Sequence, residues 1–300
     1  MAKINKYGVR DFERDFPNEE ACIRAVFNAL HSEKCSCGGT YRPLFKTNAK
    51  GELKGRRQYQ CSKCRFQIAP TSGTIFHKSD TPLRLWFLAI FLFSNAKSGY
   101  SAKQLERDLN VTYKTGWRIL NRIRKSLKQS ANKLGGVVEM DETYFGGRYR
   151  SGQNNKGQKE AIKAKSVIVG AITRGGDLKA KVAPNIQAKT LREFIEQNID
   201  PRQTILMTDD SNRYLSIAKS VERYSVNHSK GEYVRNKVFH INNVESFWSH
   251  IKRSVKGTHK VVSKKYLQNY VDGFVFHYNN RHNDSERFSS LLGALLTASR

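Results

Sequence analysis

Three acidic residues and a set of cysteines stand where their types and spacing could do chemistry. Asp141 falls inside the apolar run Val137-Val138-Glu139-Met140-Asp141, which reads as a strand. A carboxylate within a strand is costly unless it is paired or binds a cation. Asp209 closes the short apolar run Thr204 to Thr208, at the carboxyl end where open α/β sheets commonly place functional groups; Asp210 beside it could take its place. Glu245 lies in a helical pattern from Asn243 to Lys256, closed by Gly257 as a C-cap. There Val244, Phe247, Trp248, Ile251 and Val255 make an apolar stripe, while Glu245, Ser249, Lys252 and Lys256 share the opposite side. One carboxylate thus lines up with lysines, as suits an acid that holds metal beside cations that hold phosphate. Two Mg²⁺ (or Mn²⁺) ions about 3.5–4 Å apart need carboxylate oxygens on both sides, one ion activating an attacking water or 3′-hydroxyl and the other steadying the leaving oxygen. The plainer alternative is that Glu245 pairs only with Ser249 or Lys252.

The cysteines point to a second metal. All five lie within the first 64 residues, and four form the pairs Cys35-Ser36-Cys37-Gly38 and Cys61-Ser62-Lys63-Cys64. Two thiolate pairs joined by a hairpin-like stretch can meet in a tetrahedral Zn²⁺ site. Gly38 suits the tight knuckle such a site needs. The C-x-C half departs from the usual spacing, so Cys22 or His31 could replace one thiolate.

Elements that must position these groups follow from the hydrophobic pattern. Leu83 to Phe93 reads as a buried helix. Ser101 caps a helix over Ala102 to Leu109, Asn110-Val111 turns, and Thr112 caps a second helix to about Gln129 with the stripe Trp117, Leu120, Ile123 and Leu127. That spacing fits a helix-turn-helix whose second helix enters the major groove, with Thr112, Tyr113, Lys114 and Thr115 nearest the base edges and Arg118 and Arg122 on its flanks. Beyond Gly135-Gly136, strands over Val137–Phe145, Ser166–Arg174 and Leu178–Ala183 precede a helix over Ala188–Asn198. A strand over Thr204–Thr208, a helix over Asn212–Ser220, a strand over Tyr224–Asn227 and the Glu245 helix complete the order. The succession predicts an α/β fold: an RNase H-like mixed sheet with flanking helices, preceded by a small zinc ribbon and a helix-turn-helix. The predicted boundaries are 1–79, 80–132 and 133–300. Residues 146–165, rich in Gly, Lys, Asn and Arg, read as a mobile loop.

Composition narrows the partner. Lys and Arg number 53 against 26 Asp and Glu, a net charge of +27, which favours a polyanion such as nucleic acid. The most apolar stretch is interrupted by Arg84 and is too short to span a bilayer, so no membrane role is expected. Clustered cysteines without an export signal predict a cytoplasmic protein with metal-bound thiolates, not disulfides.

Three blocks carry a specific likeness: Val138-Glu-Met-Asp-Glu-Thr-Tyr-Phe-Gly-Gly147, Thr208-Asp209-Asp210, and His240-Ile-Asn-Asn-Val-Glu-Ser-Phe-Trp-Ser-His-Ile-Lys-Arg253. Together with Thr71-Ser-Gly-Thr-Ile-Phe-His77 and Tyr278-Asn-Asn-Arg281, they resemble a bacterial insertion-sequence transposase family whose members carry a zinc ribbon followed by an ISXO-type DDE domain. The resemblance implies that Asp141, Asp209 and Glu245 are the metal ligands, that Lys252 touches DNA near the scissile phosphate, and that Asn242 orients substrate or metal-bound water, the alternative being that it caps the helix start. It further implies binding to double-stranded DNA at terminal inverted repeats and at a target, cleavage followed by strand transfer, and a homo-oligomer. His228 and His240 read as structural or DNA-facing. Two rivals remain at this stage: a DNA-binding regulator with an inert RNase H-like domain, and a nuclease or resolvase without strand transfer.

Overall fold

The structure is a computed structural model that describes residues 6–49, 53–146, 165–214, 221–226 and 240–297. Residues 147–164 of the predicted loop, 215–220 of the helix predicted after Asp210, and His228 lie outside the described residues. Two compact units divide the chain: Met1–Lys128 together with Asn280–Arg300, and Gln129–Asn279.

In the first unit, α1 (Val9–Asp15) and α2 (Glu19–Leu30) lead into a three-stranded antiparallel ribbon of β1 (Tyr41–Thr47), β2 (Leu53–Cys61) and β3 (Gln67–Ile68). α3 (Leu83–Asn95) buries Leu83, Trp86, Phe87, Ile90, Phe91 and Phe93, and a helix apolar on so much of its circumference must be covered on several sides. Glu19 of α2 caps its start, accepting from the Leu83 and Arg84 amides at 2.8 and 2.9 Å. The C-terminal helix (Arg287–Thr297) supplies further cover: Phe288, Leu291 and Leu295 are buried, and the Phe288 ring packs against Phe12, Phe16 and Phe91. By its contacts the compact grouping differs from the three segments expected from sequence: residues 1–128 group together, α2 and α3 sharing a core, and residues 280–300 join them because the final helix covers α3.

α4 (Ala102–Leu109) and α5 (Tyr113–Ser126) follow. The Ser101 hydroxyl accepts from the Gln104 amide at 3.1 Å and Thr112 from the Thr115 amide at 3.3 Å, while Asn110 turns the chain in the left-handed region (φ 49°). Gly116 is pressed against α4; a Cβ there would lie 3.1 Å from the Ala102 carbonyl oxygen. The buried stripe of α5 is accordingly Gly116, Ile119, Leu120 and Ile123, with Trp117 only half-buried, and the helix stops at Ser126 short of Gln129.

The second unit is a five-stranded sheet in the order β6-β5-β4-β7-β8. β4 (Leu134–Phe145), β5 (Ser166–Thr173) and β6 (Leu178–Ala183) form an antiparallel meander. After α6 (Ala188–Asn198), β7 (Ile199–Asp209) joins β4 in parallel, and β8 (Glu222–Val226) joins β7 in parallel. This is the RNase H-like strand order. α7 (Asn242–Ser254) and α8 (Leu267–Asn279) cover one face, where Val244, Phe247, Trp248, Ile251 and Phe274 meet Phe145 and Met207. The other face is covered by α6, with Leu191, Phe194 and Ile195 against Val138, Met140 and Leu206. Because side chains alternate along a strand, Asp141 and Asp209 fall on the α7 face and Glu142 on the α6 face. Two local predictions change. The helix expected from Asn212 is a single 3₁₀ turn, Asn212–Tyr214, within the described residues. Gly257 does not end α7; the helix runs on as a π-turn, Val255–His259, and the chain reverses at Lys260 (φ 63°).

Candidate functional site

β4 carries three acids close together and gives each a different setting. Glu142, on the α6 face, accepts the Tyr214 hydroxyl at 2.5 Å and Arg213 at 3.1 Å. Glu139, on the α7 face, is wholly buried and accepts Arg174 Nε, the Asn243 amide and Asn243 Nδ2, each at 2.8 Å, with the Val244 amide at 3.4 Å. It thus caps α7 from another element, where the residue preceding the helix, Ile241, has no side-chain acceptor to offer. Arg174 also donates to the His240 carbonyl at 2.9 Å, which fixes the entry of the same helix, and His240 Nδ1 lies 3.2 Å from Glu139. We expect Glu139→Gln to lower the unfolding free energy of this unit by about 3 kcal/mol, since it strips one partner from a buried ion pair; a urea midpoint that does not move would refute the anchoring role.

Asp141 differs from both. Its carboxylate accepts the Trp248 indole N–H at 3.1 Å and has no cationic partner among the described residues. Burial lifts its carboxyl to about 7; the Glu142 amide opposes that rise, and the charges of Glu142, Asp209 and Glu245 add to it. Gly170 is the β5 partner of Asp141, and a Cβ there would sit 2.6 Å from the Trp248 ring, so the glycine makes the room in which the indole reaches the acid.

Asp209 ends β7 two residues beyond Met207, which pairs with Glu139, so it comes up beside Asp141 on the same face. Its Oδ1 accepts the Ser211 amide at 3.2 Å. Arg223 of β8 donates to the Thr208 hydroxyl and the Asp209 carbonyl, at 2.8 and 2.7 Å, and not to the carboxylate. Asp210 instead lies past the strand end, its carboxylate 3.3 Å from the Ser225 hydroxyl. Glu245 is half-buried in the first turn of α7, one turn before Trp248. The three carboxylates therefore face one region, and their charges burden Asp141. A set of hard oxygen donors around an uncompensated, half-buried carboxylate fits Mg²⁺ or Mn²⁺. Lys252 and Lys256 are exposed farther along α7, and Asn242 is exposed as its first residue and does not serve as the cap.

In the first unit, the Sγ atoms of Cys35, Cys37, Cys61 and Cys64 all lie within 4.8 Å of one another, and among the described residues this is the one metal-ligating group gathered so closely. The Cys35–Cys64 and Cys37–Cys61 sulfur separations are 3.7 and 3.4 Å, close to the roughly 3.8 Å edge of a tetrahedron with Zn–S bonds of about 2.3 Å. The Tyr41 hydroxyl and the Cys37 amide hold the Cys35 thiol down at about 6. Gly38 takes φ +76° at the knuckle, and a Cβ on Gly39 would fall 2.5 Å from the Cys61 sulfur. The four cysteines could hold zinc. Cys22 is corrected out of the site: it is fully buried in the α2 core, where burial pushes its thiol up to about 12. His31, just past α2, stacks on Phe27 and is not among the gathered ligands.

The α5 candidates divide. Tyr113 and Lys114 are exposed at the helix start, while the hydroxyls of Thr112 and Thr115 meet at 3.1 Å within the cap. Arg118 and Arg122 turn inward: Arg118 donates to the Thr81 hydroxyl at 2.8 Å, and Arg122 to the carbonyls of Ile75 and His77 at 2.8 and 3.3 Å. Sequence reasoning missed this tethering, as it missed Glu139, Gly170 and Arg174. The signal for Glu139 was present, a second acid in an apolar strand, but its partners are distant in sequence.

Comparison with known proteins agrees with this architecture. Residues 133–279 match the ISXO2-like transposase domain. A protein of Halobacterium salinarum, named as an uncharacterized protein in transposable element ISH50, is 27% identical over 251 residues, covering 79% of this chain and 84% of that one. Among solved structures, a pre-cleavage Mos1 transpososome covers 71% of this chain and 79% of its own at 10% identity with a TM-score of 0.26. A Mos1 transposase paired-end complex with left transposon end covers 70% and 79% at 11% identity with a TM-score of 0.25. Scores that low leave the fold assignment to the strand order itself. Residues 133–279 are thus an ISXO2-like transposase domain, the mark of an insertion-element DDE transposase family.

Proposed function

We propose that this chain binds the ends of its own element and catalyses metal-dependent DNA cleavage and strand transfer. The observation that carries the reading is Asp141, a half-buried carboxylate whose surroundings add negative charge and offer no cation among the described residues. Asp141, Asp209 and Glu245 would hold Mg²⁺ or Mn²⁺, which when bound supplies an activated oxygen nucleophile and charge relief at the leaving oxygen. Trp248 orients Asp141 through its indole N–H, and Glu139 fixes the helix that presents Glu245. Lys252 and Lys256 would take phosphates flanking the cut, and Asn242 would orient the strand. This scheme requires no serine, cysteine or tyrosine nucleophile. In cleavage a water oxygen attacks phosphorus, and the 3′-oxygen departs and takes up the proton the water loses; in transfer that 3′-hydroxyl attacks a target phosphate in the same in-line manner and expels the target strand's 3′-oxygen, which takes up the proton in turn.

End recognition is assigned to the zinc-loaded ribbon and to α4–α5, with Tyr113 and Lys114 nearest the bases of double-stranded DNA. Arg118 and Arg122 support the segment before α3 and contribute to recognition only indirectly. Handling two ends together calls for a homo-oligomer. The test is incubation of the full chain with labelled element-end duplex and target DNA, with and without Mg²⁺. Joined products are expected only with the metal. Binding without cleavage would instead make the chain a regulator, and cleavage without joining would make it a nuclease.

A further inference from the structure

A cleft opens on the second unit where the end of β4 faces the segment after α7. Lys252, Lys256, Lys260 and Lys264 line it, and none of the four has an ion-pair partner among the described residues. Beneath them Phe145, Val255, Val262 and Leu267 form an apolar floor, and the side chain of Val261 stands exposed at the lip. The recess holds roughly 620 Å³, in the size range of pockets that enclose a small ligand.

The backbone is bent to build this rim. In an unbroken α-helix, lysines at steps of four drift by about 40° per step, so the last would stand about 120° round from the first. Here α7 gives way to the π-turn Val255–His259. Lys260 then takes φ 63°, ψ −57°, with the Val261 amide donating to the His259 carbonyl at 2.7 Å. Such a γ-turn is rare and strained for a residue with a side chain. It brings Lys260 and Lys264 onto the same recess as Lys252.

We propose that this cleft receives one unpaired nucleotide of the DNA strand being processed, with its flanking phosphates on the lysine rim and its base on the apolar floor. The proposal rests on the DNA-processing reading above and deepens it. Charge identifies the polyanion, and the floor identifies what else must enter, because phosphates alone gain nothing from valine, leucine and phenylalanine. A duplex, whose major groove alone is about 12 Å wide, cannot enter a recess of this size, whereas an extruded nucleotide can. Lys252 lies seven residues along α7 from Glu245, about 10 Å of helix, or roughly three base steps at the 3.4 Å spacing of a stacked strand. The cleft therefore lies within reach of a strand held at the acids.

The test compares two 20-base-pair probes, one fully paired and one carrying a single extrahelical 2-aminopurine, bound by the full chain. The bulged probe is expected to bind about tenfold more tightly, with a change in 2-aminopurine emission, because the cost of unstacking is already met. The exposed-site variants Lys260→Gln with Lys264→Gln, and separately Val261→Glu, should erase that preference while the paired probe loses no more than about threefold. Equal affinity of the native chain for both probes would overturn the proposal, as would a preference that survives both variants. Failure to bind either probe would overturn the DNA-processing reading along with it, so the two failures are distinct.

Discussion

Asp141→Asn is expected to lower Mg²⁺-dependent cleavage of element-end DNA by at least about 10³-fold while leaving end binding within about twofold, since the reading elements lie in the other unit. The amide keeps the shape of the side chain and can still meet the Trp248 indole, but it cannot share charge with a cation. The same substitution should have the opposite effect on stability. In metal-free protein the Asp141 carboxyl titrates at about 7 because burial and its acidic neighbours disfavour the anion; in the unfolded chain it titrates near the usual value of about 3.9. Between those values the native state retains a proton that the unfolded chain has released. Stability accordingly falls as pH rises from about 4 to about 7, and the loss is complete above that window. Asparagine has no such proton to lose. Metal-free Asp141→Asn should therefore melt about 5 °C above the native chain at pH 8 and level with it at pH 4, and added Mg²⁺ should close the gap by stabilising only the native chain. Calorimetry with and without chelator measures both halves. A variant that still cleaves, or that melts below the native chain at pH 8 without metal, would end the assignment of Asp141 as a ligand.

Cys61→Ser should unfold the ribbon. Its strands are short, and their interior comes to little more than Phe45, Tyr59 and Cys61 packed against Phe27 of α2. A sheet that small folds largely on the free energy of its metal, on the order of 10 kcal/mol for structural zinc. Cys61 is the most enclosed of the four gathered cysteines, with Gly39 leaving room for its sulfur and the Lys63 amide pointing at it from 3.4 Å. We expect one zinc per native chain by elemental analysis and none in the variant, with end affinity falling at least about 100-fold as the ribbon is lost. Chelation of the native chain should reproduce the loss and added Zn²⁺ should restore it. A chain purified without zinc, or one whose folding and end binding survive chelation, would remove the ribbon from the account.

How much of this was legible beforehand depends on the range of the interaction. Local signals read well. Ala102–Leu109, Leu178–Ala183 and Ala188–Asn198 fold over the residues that their capping and periodicity indicate. Period-two alternation puts Asp209 on the α7 face with Asp141, while Asp210 falls beyond the strand. What the pattern could not supply were the contacts between distant segments. Glu139 reads as one more acid in a strand until Asn243 and Arg174 are brought to it, and Arg122 reads as a DNA contact until the Ile75 carbonyl occupies it. Gly257 misled for a different reason. Glycine is the usual residue at a helix end, but here the helix widens through it and reverses at a lysine.

The first unit is assembled from both ends of the described chain, with the whole sheet unit lying between them in sequence. A ribosome delivers residues in order, and compact units generally fold as they emerge. Gln129–Asn279 can therefore close around its acids while α3 still lacks the Phe288, Leu291 and Leu295 contacts that cover it. A stop codon at Asn280 would spare every residue of the matched domain and still leave exposed the aromatic surface of Phe12, Phe16 and Phe91. Truncated copies of this reading frame should for that reason aggregate or be degraded, and not persist as competitors for the intact protein's sites.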